Sequence, residues 1–283
     1  MRPSAKFIAI LSILLVLAVT AREGVLQPAG TMARGSDVWP QGQNAIARLA
    51  LAEDFSPLAG ASYYDVFLNG VRLGKATLEV KRNGDDFILE AVARIRSVIS
   101  SLYTVRYRGH AVMSPKPVQP SEAVIEEQKG SKSKTFLLKF PEPNRASAVQ
   151  IEARPGKKPT RTHKEFSSES FVLDPFSTVF LIRSLDWRVG DVQVFDILTG
   201  KKQYEMRLTC RGETMLDVDG QLLPALEIVL QTRSHEAPRK IKLSGFVIYL
   251  SKESSREILK ITGKYKIGRI VVNRQTIDRQ EVE

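Results

Sequence analysis

The chain reads as a mainly β protein: an antiparallel, curved sheet forming a barrel or half-barrel with one central apolar helix at about residues 174–187. Three observations lead there. From Ser62 onward, apolar and polar residues alternate with period two in one segment after another. Short turn sequences rich in Gly, Asn, Asp and Pro separate these segments, at a spacing that suits a meander and not alternating strands and helices. One stretch alone, Asp174 to Trp187, has helical length and large apolar residues on more than one face.

The elements follow in order. Arg2 and Lys6 precede a nearly unbroken apolar run, Phe7 to Val19, and Val19-Thr20-Ala21 offers small residues for cleavage. This is the pattern of a secretory signal peptide over 1–21, with an uncleaved anchor as the alternative; the run is too short to span a bilayer comfortably, since a spanning helix needs about 20 residues. Residues 22–59 are rich in Ala, Gly, Pro and Gln and read as a linker, with a short helix expected over 44–53. A single domain is expected over 60–275, followed by a polar tail over 276–283.

Within that domain, Tyr63 to Leu68, the pair Asn69-Gly70, and Val71 onward spell a hairpin, because Asn-Gly supplies the left-handed backbone of a tight turn. Asn83-Gly84-Asp85 leads to a third strand with Phe87, Leu89, Ala91, Ala93 and Ile95 on one face. A fourth, Tyr103 to Val112, puts Tyr103, Val105, Tyr107 and Ala111 together. Small residues among large ones on one face suit strong curvature or a neighbouring helix. Shorter strands are expected near 123–128, 135–140, 148–153 and 160–166. After the helix and a turn at Val189-Gly190-Asp191 come strands near 203–211, 213–218, 225–233, 241–251, 256–262 and 266–273.

The helix begins at Asp174-Pro175. An aspartate can accept hydrogen bonds from the first free N–H groups, and proline suits the first helical position. Phe176, Val179, Phe180, Leu181, Ile182 and Leu185 follow, each worth roughly 1.5–3 kcal/mol if buried. A helix carrying that load belongs inside the curved sheet or across it.

Composition bounds the chemistry. The formal charge is +11 over 283 residues, and loss of Arg2 and Lys6 with the signal would leave about +9. A basic exported protein meets anionic headgroups or acidic glycans, and no nucleic acid partner is expected. Cys210 is the single cysteine, so an intrachain disulfide and a zinc site built on cysteine pairs are excluded. His110, His163 and His235 have no ligand spacing. Neither a nucleophile elbow nor a His-Glu-x-x-His motif is present, so neither catalytic residues nor a cofactor or metal is expected.

Three stretches, "YYDVFLNGVRLGKATLEV", "DPFSTVFLIRSL" and "GETMLDVDGQLLPALEIVL" followed by "SGFVIYLSKESSREILKITGKYKIGRIVV", resemble in order and spacing a bacterial exported family, domain of unknown function 3108. The likeness covers about Ser62 to Val272. It implies an exported, β-rich protein and supplies no activity.

Candidate ligand-binding residues fall in two groups. Arg94, Arg96, Arg106 and Arg108 lie on the non-apolar face of two consecutive strands. A simple hairpin would oppose Arg94 to Arg108 and Arg96 to Arg106. Like charges so placed need an offset from solvent, carboxylates or a bound anion. On the helix, Phe176 and Phe180 could meet an apolar ligand. Arg183, within an apolar run, needs a carbonyl or carboxylate such as Asp186, or a ligand headgroup. Arg154 to Lys164 reads as a basic loop that a membrane surface could attract. The functional expectation is an exported, periplasmic, non-enzymatic envelope protein holding a lipid or other apolar anionic ligand in its concave face. The alternatives are an envelope interaction or scaffold protein with an unidentified protein partner, and, as a third, an enzyme acting on envelope glycans or lipids.

Overall fold

The computed structural model describes residues 51–96, 104–265 and 268–275. They form β1 Gly60–Leu68, β2 Val71–Asn83, β3 Asp86–Arg96, β4 Thr104–Pro115, β5 Val118–Lys129, β6 Lys132–Glu142, β7 Arg145–Arg154, β8 Lys157–Ser167 and β9 Val172–Leu173. Then come helix α1 Pro175–Ser184, β10 Val192–Leu198, β11 Gln203–Val218, β12 Gln221–Ser234, β13 Ala237–Ser251, β14 Ile258–Tyr265 and β15 Gly268–Arg274.

All fifteen strands belong to one sheet, ordered β8 back to β1, then β15 back to β9. The two halves of the chain join where β1 runs antiparallel to β15, from Tyr64 opposite Arg274 to Leu68 opposite Ile270. Every neighbouring pair is antiparallel except β9 with β10. The expected turns hold: Asn69 and Gly70, and again Asp219 and Gly220, take positive φ at both central positions, as tight hairpins require.

Two short elements escaped the sequence pattern, β9 and β10. Two expected strands are one: β11 runs through Gly212 with a bulge between Cys210 and Gly212, where the pairing with β12 shifts. The segment expected as a basic loop is the β7–β8 hairpin, with β8 itself carrying most of the charge. The helix expected over 44–53 falls almost wholly outside the described residues; Leu51 and Ala52 are irregular.

The sheet rolls until its ends approach. Val172 N–H donates to the Pro143 carbonyl at 2.8 Å, and Gln203 Nε2 donates to the Ser167 carbonyl at 3.4 Å. The β10–β11 turn presses Gly200 onto β6. A β-carbon there would lie 2.5 Å from Phe136 Cγ, so this closure requires glycine. The result is a nearly closed barrel with one helix.

That helix fills the hollow. Asp174 Oδ1 accepts from the N–H groups of Phe176 at 2.8 Å and Ser177 at 3.0 Å. All ten residues of α1 are buried. It stops at Ser184, three residues before Trp187, because the Trp187 indole turns back and donates to the Ile182 carbonyl at 2.8 Å. Room comes from small residues in register across four strands. Ala76 faces Ala93, Ala91 faces Gly109, and Ala111 faces Ala123.

Candidate functional site

The polar groups of α1 gather at its two ends. At the start, Asp174 is fully buried. Burial pushes its carboxyl up to about 6, against the pull of the Ser177 hydroxyl and the capping N–H groups. Tyr107 on β4 lies nearby, its ring centroid 6.3 Å from that of Phe176. Burial raises its phenol well above the ordinary value, and the charges of Glu127 and Asp174 add to that. Glu127 is itself raised by burial, opposed by Lys134 and Lys201. Asp174 caps the helix through Oδ1.

At the far end, Arg183 is 3% exposed. Its Nε donates to the Arg256 carbonyl at 3.1 Å and its Nη2 to the Ser255 carbonyl at 3.0 Å. The expected carbonyl partner is therefore found, and Asp186 is not it. Asp186 is exposed and lies 3.7 Å from Arg256 Nη2. Arg256 donates through Nη1 to the Leu185 carbonyl at 2.8 Å and through Nη2 to Asp54 at 3.1 Å. Glu257, 5% exposed, accepts from Ser62 Oγ at 3.0 Å and pairs with Arg274. The segment before β1 closes over this end. Ala52 N–H donates to the Ser184 carbonyl at 2.7 Å, and Phe55 meets Phe180 edge-on at 5.4 Å between centroids.

The strand arginines stand elsewhere. Their expected register is corrected by two residues: Arg94 lies opposite Arg106, Arg96 opposite Thr104, and Arg108 opposite Val92. Residues 97–103, between these two strands, lie outside the described residues and carry no strong turn signal in sequence. Arg94, Arg106 and Arg108 are exposed, while Ala93, Val105 and Tyr107 between them are buried. These arginines are thus on the outer face of the sheet, away from α1. The side chain of Arg96 is outside the described set. Arg108 Nε lies 3.8 Å from Glu126 in solvent. The structure brings Phe176, Phe180 and Arg183 together in the core and sets Arg94, Arg106 and Arg108 on the opposite side of the sheet.

Sequence reasoning missed two groupings whose members are far apart in the chain. One is the Arg183, Arg256, Glu257, Arg274 set. The other lies where the sheet ends meet. Asp196, 1% exposed, accepts from Gln203 Nε2 at 2.7 Å and from the Ser168 hydroxyl, and lies 2.8 Å from His235 Nε2. Asp196 raises the affinity of His235 for its proton. This is not a nucleophile arrangement: the Ser168 hydroxyl donates to the carboxylate and not to an imidazole that could take its proton. Cys210 is buried, and burial raises its thiol, so it is an inert core residue. Among the described residues, no group of three or more His, Cys, Asp or Glu could hold a metal ion.

These features define a β-barrel-like protein built around a luminal helix, with charged end networks that secure the helix. The chain matches the model of the family "Protein of unknown function (DUF3108)" over residues 63–274, and it belongs to that family. Its fold is similar to the crystal structure of a β-barrel-like protein of domain of unknown function DUF1849 from Brucella abortus. That likeness has a TM-score of 0.53 at 7% identity and covers 78% of this chain and 98% of that one. No curated protein matches the sequence.

Proposed function

We propose that the protein is an exported, non-enzymatic component of the cell envelope that works as a binding module through the outside and the free edge of its sheet. The observation that carries this reading is the occupancy of the hollow. Phe180 packs against Phe87 at 4.8 Å and Phe55 at 5.4 Å between ring centroids, Phe176 lies on Tyr107 and Gly109, and Arg183 is spent on backbone carbonyls. The side chains that a lipid would need already have protein partners. Carriage in the concave face is the competing reading, and it requires α1 to leave its seat, exposing six large apolar side chains at roughly 1.5–3 kcal/mol each.

Export rests on the pattern of Arg2, Lys6 and the apolar run Phe7 to Val19. The net charge suits anionic partners in that compartment. The test is crosslinking in intact envelopes followed by native mass spectrometry of the protein from its own host. A stable protein partner and a free-chain mass matching the sequence from Arg22 onward, without an acyl adduct, are expected. A stoichiometric lipid on the purified chain would overturn the reading in favour of carriage.

A further inference from the structure

The sheet ends at β8, and that edge has unusual chemistry. Every residue from Lys157 to Ser167 except Phe166 is exposed, on both faces of the strand. Four are cations, Lys157, Lys158, Arg161 and Lys164, against one carboxylate, Glu165. The backbone direction follows from the pairing with β7. Ser168 N–H donates to the Asn144 carbonyl at 3.0 Å, which continues the β7–β8 register of Arg145 opposite Ser167 and Ala146 opposite Phe166. Antiparallel pairs alternate between hydrogen-bonded and open. Phe166, Lys164, Thr162 and Thr160 therefore bond to β7, and Arg161, His163, Glu165 and Ser167 point their N–H and C=O groups away from the sheet. The Ser167 carbonyl is taken by Gln203. Arg161, His163 and Glu165 have no backbone partner among the described residues on that side. Pro159 falls on the same outward phase, where its missing N–H breaks no native bond.

We propose that this edge accepts a short, extended, acidic peptide segment as a sixteenth strand, pairing with Arg161 to Glu165. This rests on the binding-module reading above and names the partner of its edge. Lysine and proline on an edge deter pairing between like strands, because a second copy brings cations against cations. The same charges favour a strand carrying Asp or Glu. A peptide fits better than a membrane. Arg161 and Lys164 project to opposite faces of the sheet, so a flat anionic surface meets half of them, while a strand lying in the sheet plane can place carboxylates beside both.

The experiment titrates the full chain with three probes: a short Thr-Glu peptide of repeating Thr-Thr-Glu-Glu, which as a strand carries carboxylates on both faces, a Glu peptide of equal charge interrupted by prolines, and vesicles of phosphatidylglycerol and phosphatidylcholine. Two variants are compared with the parent, Arg161→Glu combined with Lys164→Glu, and His163→Pro, which removes an outward N–H and no bond to β7. The proposal expects saturable binding of the Thr-Glu peptide, with new amide protection at Arg161 and His163. It expects a weakening of about tenfold or more in either variant. Equal binding of the proline-interrupted peptide, or unchanged affinity in His163→Pro, would reduce the edge to a charge patch and overturn it. Uptake by vesicles with no peptide binding would also overturn it, in favour of a membrane. A partner captured from envelopes and still held by the charge-reversed variant would leave the binding-module reading standing and the edge proposal refuted.

Discussion

Gly109 on β4 lies directly beneath the ring of Phe176. A β-carbon there would come within 2.5 Å of Phe176 Cζ and 2.3 Å of the Val124 carbonyl oxygen. The sheet and the helix are fitted to each other at this point, with backbone on one side and an aromatic ring on the other. Gly109→Ala is expected to destabilise the fold by about 1–3 kcal/mol, the usual effect of overpacking a core. Urea unfolding measures it, and an unchanged midpoint would mean that α1 is not seated on β4.

Asp174 gives a pH signature. Burial raises its folded-state value to about 6 from 3.8. The folded state therefore holds this proton more tightly than the unfolded chain. The contribution is fully present below pH 3.8 and is lost as pH rises through 6, about 3 kcal/mol in all. Asp174→Asn keeps an acceptor for the Phe176 and Ser177 N–H groups and does not titrate. Comparing the two proteins across pH 4 to 7, the parent should lose stability relative to the variant as pH rises. Parallel curves would show that the carboxyl is not buried.

Arg183 separates a structural role from a ligand role. Its guanidinium satisfies the Ser255 and Arg256 carbonyls inside the protein. Arg183→Lys loses the planar fork and should destabilise by about 1–3 kcal/mol, with Arg183→Ala worse. A headgroup-binding arginine would instead leave thermal unfolding of the purified chain unchanged on substitution.

Arg94 and Arg106 sit directly opposite each other on the outer face. Arg94→Glu exchanges a like-charge pair for an opposite one, so the unfolding midpoint should rise slightly at low salt, and the gain should shrink as salt is added. A fall in the midpoint would indicate that the two arginines share a bound anion.

His235 meets Asp196 where the sheet ends converge. The carboxylate raises the proton affinity of the imidazole. The stabilisation is complete below the ordinary histidine value near 6.5 and is lost as pH rises through the raised one. His235→Gln should flatten that part of the stability curve. Because His235 is half exposed, solvent screening keeps the effect small.

Much of this architecture is written locally in the sequence. Asn69-Gly70 and Asp219-Gly220 specify their own turns, and Asp174-Pro175 specifies where the helix starts. Leu185 and Trp187 look helical by composition, yet the helix stops at Ser184 and the Trp187 indole bonds back to the Ile182 carbonyl. β9 has two residues and carries no period. β10 runs into four consecutive buried residues, Phe195 to Leu198, and shows no alternation there. The β3–β4 register is not legible because residues 97–103 carry no strong turn signal, and a two-residue shift moves every arginine pair. The end networks around Arg183 and Asp196 join residues from distant segments, and single-chain spacing does not record such contacts.

The central claim is that α1 is a fixed part of the core and not a movable lid over a ligand. Amide hydrogen exchange of Val179 to Ile182, measured with and without lipid extracted from envelopes, tests it most directly. These amides should exchange only through global unfolding, with the free energy given by denaturant titration, and lipid should not change it. Exchange through a smaller local opening that lipid suppresses would contradict the account and restore the hollow as a binding site.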